Sequence, residues 1–113
     1  GGWQLACYAG GDGFTALGLS PYADAASGKL VLLNSSGQEQ RSFPLSAEPD
    51  AVSVYGNTAA VLADGTVYAY SIADGVLIAQ AEAGDDAVSL ALANESSAYI
   101  LGVSEIRTVS LNG

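Results

Sequence analysis

The chain has 113 residues, room for one domain with one modest core. Its 3 Lys and Arg against 12 Asp and Glu leave a net charge of −9, which excludes holding a nucleic-acid backbone or an anionic membrane surface by charge. Histidine is absent and Cys7 is the one cysteine, which excludes Ser-His-Asp and Cys-His catalysis, His-ligated metal, an internal disulfide and a thiolate cage.

Hydrophobic periodicity along the chain is two, the signature of strands. Trp3-Gln4-Leu5-Ala6-Cys7 opens a first unit, with strands predicted over 3–9, 14–19, 29–34 and 39–45. Val52-Ser53-Val54 opens a second, over 51–55, 59–63, 66–71 and 76–82. The Ala-rich stretch 59–63 suits a helix in isolation, but Gly56-Asn57 and Asp64-Gly65 bracket it too tightly for one. Val88-Ser89-Leu90-Ala91-Leu92 opens a third, over 87–93, 97–101 and 105–110. No segment predicts a helix, and the apolar runs 30–33 and 59–63 fall far short of the roughly 20 residues of a membrane span.

The units repeat. Ala51-Val52-Ser53-Val54 recurs as Ala87-Val88-Ser89-Leu90, 36 residues on, and Ala60-Val61-Leu62 as Ala98-Tyr99-Ile100, 38 residues on. Val67-Tyr68-Ala69-Tyr70-Ser71-Ile72 recurs as Ile106-Arg107-Thr108-Val109-Ser110-Leu111 at 39, and the same region maps back on Gly28-Lys29-Leu30-Val31-Leu32-Leu33-Asn34 near 37. Four short antiparallel strands (a to d) on such a period predict an all-β fold of consecutive β-propeller blades, strand a innermost. Blade 1 is 3–45, blade 2 is 51–82, and blade 3 is 87–111 without its fourth strand. The competing architecture is an eleven-strand sandwich or barrel. Rings typically hold four to eight blades, and methionine is absent even at residue 1. The chain is therefore expected to be the C-terminal piece of a longer propeller, Asn112-Gly113 turning toward a closing strand.

Three stretches carry a family resemblance: Trp3-Gln4-Leu5-Ala6-Cys7-Tyr8-Ala9-Gly10, Gly13-Phe14-Thr15-Ala16-Leu17-Gly18-Leu19-Ser20-Pro21-Tyr22-Ala23-Asp24 and Gly28-Lys29-Leu30-Val31-Leu32-Leu33-Asn34-Ser35-Ser36-Gly37. They resemble the C-terminal blades of an uncharacterised bacterial family, largely from Gram-positive gut bacteria. Its members carry an N-terminal membrane helix and a quinoprotein-like or WD40-like propeller. The resemblance implies topology and an extracytoplasmic, membrane-anchored location, the anchor lying upstream of this chain. It implies no activity.

Chemistry-bearing motifs are sparse. Gly18-Leu19-Ser20-Pro21 is no nucleophile elbow, and no Ser-x-x-Lys is present. Asp50 with Asp86 is the carboxylate pairing to consider for glycoside hydrolysis. Gly10-Gly11-Asp12-Gly13 and Gly84-Asp85-Asp86 read as turns rather than calcium loops. No catalytic residue, cofactor or metal ion is predicted. Cys7, alternating with Trp3 and Leu5, is expected as a structural thiol on their face. Tyr68 and Tyr70 share a face, for blade packing or for stacking on a sugar. Asn34-Ser35-Ser36 and Asn94-Glu95-Ser96 have the form of glycosylation sequons but read as turns.

The acids, by contrast, are unevenly placed. In propeller topology the d–a and b–c connections share one rim of the disc. Those connections hold Glu48, Asp50, Asp85 and Asp86, with Asp24 and Asp64, while Asp12, Asp74 and Glu95 fall on the opposite rim. Lys29, Arg41 and Arg107 all lie inside predicted strands. The candidate partner face is therefore Asp24, Glu48, Asp50, Asp64, Asp85 and Asp86, with Tyr22 and Tyr55 as aromatic contacts. The expected function is a non-catalytic interaction or sensor module taking a protein, peptide or glycan. The alternative is part of a propeller enzyme or cofactor carrier whose site lies in other blades. The apolar blade faces left at both ends of a three-blade arc predict self-association.

Overall fold

Period-two alternation, with short apolar runs bracketed by turn residues, builds eleven strands. The computed structural model describes residues 2–11, 13–22 and 27–111; Asp12, Asp24 and the turn expected at Asn112-Gly113 lie outside them. The strands are β1 (Trp3–Gly10), β2 (Phe14–Pro21), β3 (Gly28–Asn34), β4 (Glu39–Leu45), β5 (Pro49–Tyr55), β6 (Thr58–Ala63), β7 (Thr66–Ser71), β8 (Val76–Glu82), β9 (Ser89–Asn94), β10 (Ser97–Leu101) and β11 (Ile106–Ser110). They form three antiparallel meanders, β1-β2-β3-β4, β5-β6-β7-β8 and β9-β10-β11, and the described residues hold no helix. Strand β9 starts two residues later than predicted, because the Ala87 amide donates to Gly84 O and closes a turn.

The middle sheet explains the packing. Val52, Val54, Ala59, Val61, Tyr70 and Ile72 meet Ala16, Leu30, Leu32, Phe43 and Leu45 of the first sheet. On the other face, Ala51, Ala60, Leu62, Val67 and Ala69 meet Leu90, Ala98 and Ile100 of the third. Both faces of β6 are thus covered, and all six of its residues are buried. That two-sided burial is what the Ala-rich stretch serves. Each fully buried leucine contributes about 1.5–3 kcal/mol. Strand β5 lies against both β1 and β9, so the first strands of the sheets are innermost.

Register corrects two sequence alignments. Ala60 faces the third sheet whereas Ala98 faces the second, so the match of Ala98-Tyr99-Ile100 to Ala60-Val61-Leu62 is one residue out. A one-residue slip exchanges faces; the structural counterpart of Ala60 is Tyr99. Likewise Ala51 pairs with Leu62 and Ser89 with Leu101, which makes Ser89 rather than Ala87 the counterpart of Ala51.

Cys7 is also placed differently from the sequence reading. A bulge between Leu5 and Cys7 shifts the β1–β2 register, pairing Leu5 with Leu19 but Cys7 with Gly18. The extra residue, Ala6, turns Cys7 away from the face of Trp3 and Leu5 and onto the core shared with the second sheet. Tyr68 and Tyr70 do share a face, and it is a packed one: the Tyr70 and Phe43 rings stack with centroids 4.1 Å apart. Asn34 and Asn94 are turn residues, their Oδ1 atoms accepting the Ser36 and Ser96 amides at 2.9 and 2.8 Å.

Candidate interaction face

One two-residue turn organises the acidic rim. Asp64 and Gly65, between β6 and β7, take φ of 51° and 73°, the left-handed pair that an Asp-Gly hairpin turn requires. Gly65 O accepts the amides of Ala83 and Gly84 at 2.8 and 3.2 Å, which ties the β8–β9 link to this turn. A Cβ on Gly65 would lie 3.6 Å from Asp85 Oδ1. On the other side the Asp64 amide donates to the Asp50 carboxylate.

Four predicted residues therefore come together: Glu48, Asp50, Asp64 and Asp85. Partial burial first, then the neighbouring Glu48, push the Asp50 carboxyl above its ordinary range, against the pull of the Asp64 amide; the Asp64 charge adds to the upward push. Glu48 accepts the Ser20 hydroxyl at 3.4 Å. Tyr22, 71% exposed, follows β2 on the side of the b–c connections.

Two predicted members do not join them. Asp86 is ion-paired with Arg107, whose guanidinium reaches its two oxygens at 2.9 and 3.2 Å and also donates to Ala83 O. That hydrogen-bonded partner holds the Asp86 carboxyl below its ordinary range. The backbone of Arg107 is inside β11 as predicted, but its side chain spans the seam between sheets. Tyr55 closes β5 at the end opposite Asp50, five residues and about 17 Å away. It belongs to the other rim.

That other rim holds what the sequence reading missed. Tyr55, Val54, Gly11 and Gly56 line an open cleft of about 400 Å³. Beside it Glu95 accepts the Asn57 amide at 2.7 Å across the second seam. The paired glycines at 11 and 56 were the available signal. The Lys29 Nζ lies 4.5 Å over the Trp3 ring. Among the described residues, no group of three or more His, Cys, Asp and Glu is arranged to hold a metal ion.

Comparison with protein-family models and with curated proteins finds no match. Solved structures do match. The β-propeller domain of Myceliophteria thermophila Cps50 (Swd1) superposes with a TM-score of 0.74 at 14% identity, over 96% of this chain and 36% of that one. The fold is a β-propeller. Kuenenia stuttgartiensis hydrazine synthase superposes with a TM-score of 0.72 at 12% identity, over 94% of this chain and 32% of that one. The three sheets are propeller blades, the last with three strands, and the chain spans about a third of the length of these propeller-containing chains.

Proposed function

We propose that the chain is part of a non-catalytic interaction module whose contact face is the rim bearing Glu48, Asp50, Asp64 and Asp85, and that it takes a basic segment of a partner protein. One observation carries this reading: the ion pairs among the described residues all belong to Arg107, so the cluster around Asp64 keeps its charge unmatched. Four such carboxylates set up a field that attracts cations and that salt screens. Tyr22 supplies an exposed ring at the same rim. The two superposed structures weigh for neither binding nor catalysis, because likeness at 14 and 12% identity is likeness of fold.

The test uses a fluorescent Lys- and Arg-rich peptide titrated by anisotropy. Asp50→Asn, Asp64→Asn and Asp85→Asn combined should weaken binding about tenfold or more, and about 0.5 M salt should abolish it. Asp86→Asn, the already paired acid, should change affinity less than the triple variant does. Unchanged affinity in the triple variant overturns the proposal. We propose further that the module sits at the cell envelope, held by a segment outside this chain, a reading supported by the sequence resemblance alone. Fractionation of producing cells, with release from membranes by detergent, is the check.

A further inference from the structure

The two buried seams are built by one rule: the forward face of a blade receives the back face of the next. Within this chain, two faces of the arc have no such partner among the described residues. Ala60, Leu62 and Val67, on the forward face of blade 2, are each 0% exposed against blade 3. Their counterparts on blade 3, by strand register, are Tyr99, Leu101 and Ile106, which are 47, 39 and 69% exposed. At the other end of the arc Trp3, Leu5 and Tyr8 of blade 1 are 42, 54 and 71% exposed. Leu5 and Tyr8 pair with Leu19 and Leu17, on the face turned away from blade 2. The chain thus presents one unmatched forward face and one unmatched back face, the two halves of a seam it already makes twice.

We infer that these faces dock on each other between two copies of the chain, head to tail. Blade 3 of each copy covers blade 1 of the other, and the pair closes into a ring of six blades. Six falls within the four to eight that propellers typically hold, and a heterologous contact stays finite only when it closes in this way. The contact is continuous with the existing seams. Each face exposes large apolar side chains, of the kind that monomers seldom leave grouped, beside polar ones: Thr108 and Ser89 on blade 3 and Lys29 on blade 1. Docking is independent of the acidic rim, and its salt dependence has the opposite sign. Two chains of charge −9 repel at long range, so added salt strengthens this association while it weakens capture of a basic peptide.

Sedimentation of the whole chain tests it, with two variants at highly exposed positions, Ile106→Lys on the forward face and Tyr8→Lys on the back face. The wild-type chain should run at twice its 11.3 kDa. A lysine pressed into the apolar seam without a partner should weaken association about tenfold or more, so each variant alone should run as a monomer. Mixed, the two variants should recover a one-to-one pair, since one intact forward face then meets one intact back face. Circular dichroism confirms that both variants keep their strands. A wild-type chain that stays at 11.3 kDa overturns the inference and leaves these faces to other blades. A pair that survives either variant alone, a mixture that stays monomeric, or masses growing past two copies also overturns it.

Discussion

The two seams of this arc do the same job with different chemistry. The first is filled by large side chains, Leu30, Leu32, Phe43, Leu45 and Tyr70, with an aromatic stack at its outer part. The second is dominated by alanines, Ala51, Ala60, Ala69, Ala79, Ala83 and Ala98, closed round Leu62 and Ile100. Small residues give less apolar area per position, and the second seam adds polar ties. Arg107 of blade 3 holds Ala83 O and Asp86, the Leu92 amide donates to Ser53 Oγ at 3.0 Å, and Glu95 accepts the Asn57 amide. The first seam has its own tie in Arg41, whose Nε donates to Ile72 O at 2.8 Å. The difference predicts that the first seam fails by cavities and the second by overfilling or by loss of its ties.

The largest effect should come from emptying the first seam. Phe43→Ala removes a ring that is 7% exposed and stacked on Tyr70, and should cost about 3–5 kcal/mol in denaturant unfolding. In the second seam the reverse substitution is the damaging one. Ala60→Leu adds three heavy atoms at a position with no free surface and should cost about 1–3 kcal/mol. If Ala60→Leu is neutral, the second seam is not close-packed and the comparison fails.

Next come the acids that sit over each seam, whose titrations have opposite signs. Asp86 is held below its ordinary range by Arg107, so its contribution is present above the unfolded value near 3.8 and is lost as pH falls through the lower folded value. Asp50 is raised, so its charged form opposes folding: its contribution is favourable below 3.8 and is lost as pH rises through the folded value. At pH 7, Asp86→Asn should lower the melting temperature and Asp50→Asn should raise it. Both differences should shrink in acid. Melting curves of the two variants at neutral pH and below the unfolded value check this, and a common sign at neutral pH would contradict it.

These contrasts show what the sequence made legible. Alternation, bracketing turn residues and the repeat together located the eleven strands, and the repeat of β7 in β11 was in register because Tyr70 and Val109 both face the preceding blade. Local pattern could not reveal where a bulge or a one-residue slip exchanges faces, as at Ala6 and at Ala98, because apolar residues stand on both faces of β1 and β10, Leu5 and Cys7 on β1 and Tyr99 and Ile100 on β10. Four of the rim acids came together because a connection's place in the topology fixes its rim. Asp86 escaped that logic through the length of the Arg107 side chain. Tyr55 escaped it because a strand carries its two ends to opposite rims.

The smallest effect reports on whether the first seam is closed. Cys7 packs on that core, with Sγ 3.8 Å from Pro49 O and Gly18 opposite it in the ladder. Burial first, then the charge of Asp50, push its thiol up to about 11, with Glu48 adding to the push and a Gly18 backbone hydrogen bond opposing it. At pH 8 only about one thiol in a thousand is then ionised, against roughly a quarter of free cysteines. Labelling by a disulfide reagent should therefore be about a hundredfold slower in the folded chain than in urea-unfolded chain, with no change in fold. Combined Asp50→Asn and Glu48→Gln should recover only part of that rate, because the larger cause, burial against blade 2, stays in place. Phe43→Ala, which loosens the same seam, should recover more. A folded thiol that reacts as fast as the unfolded one would mean that the bulge at Ala6 does not hold Cys7 against blade 2, and that the first seam is open where β1 meets β5.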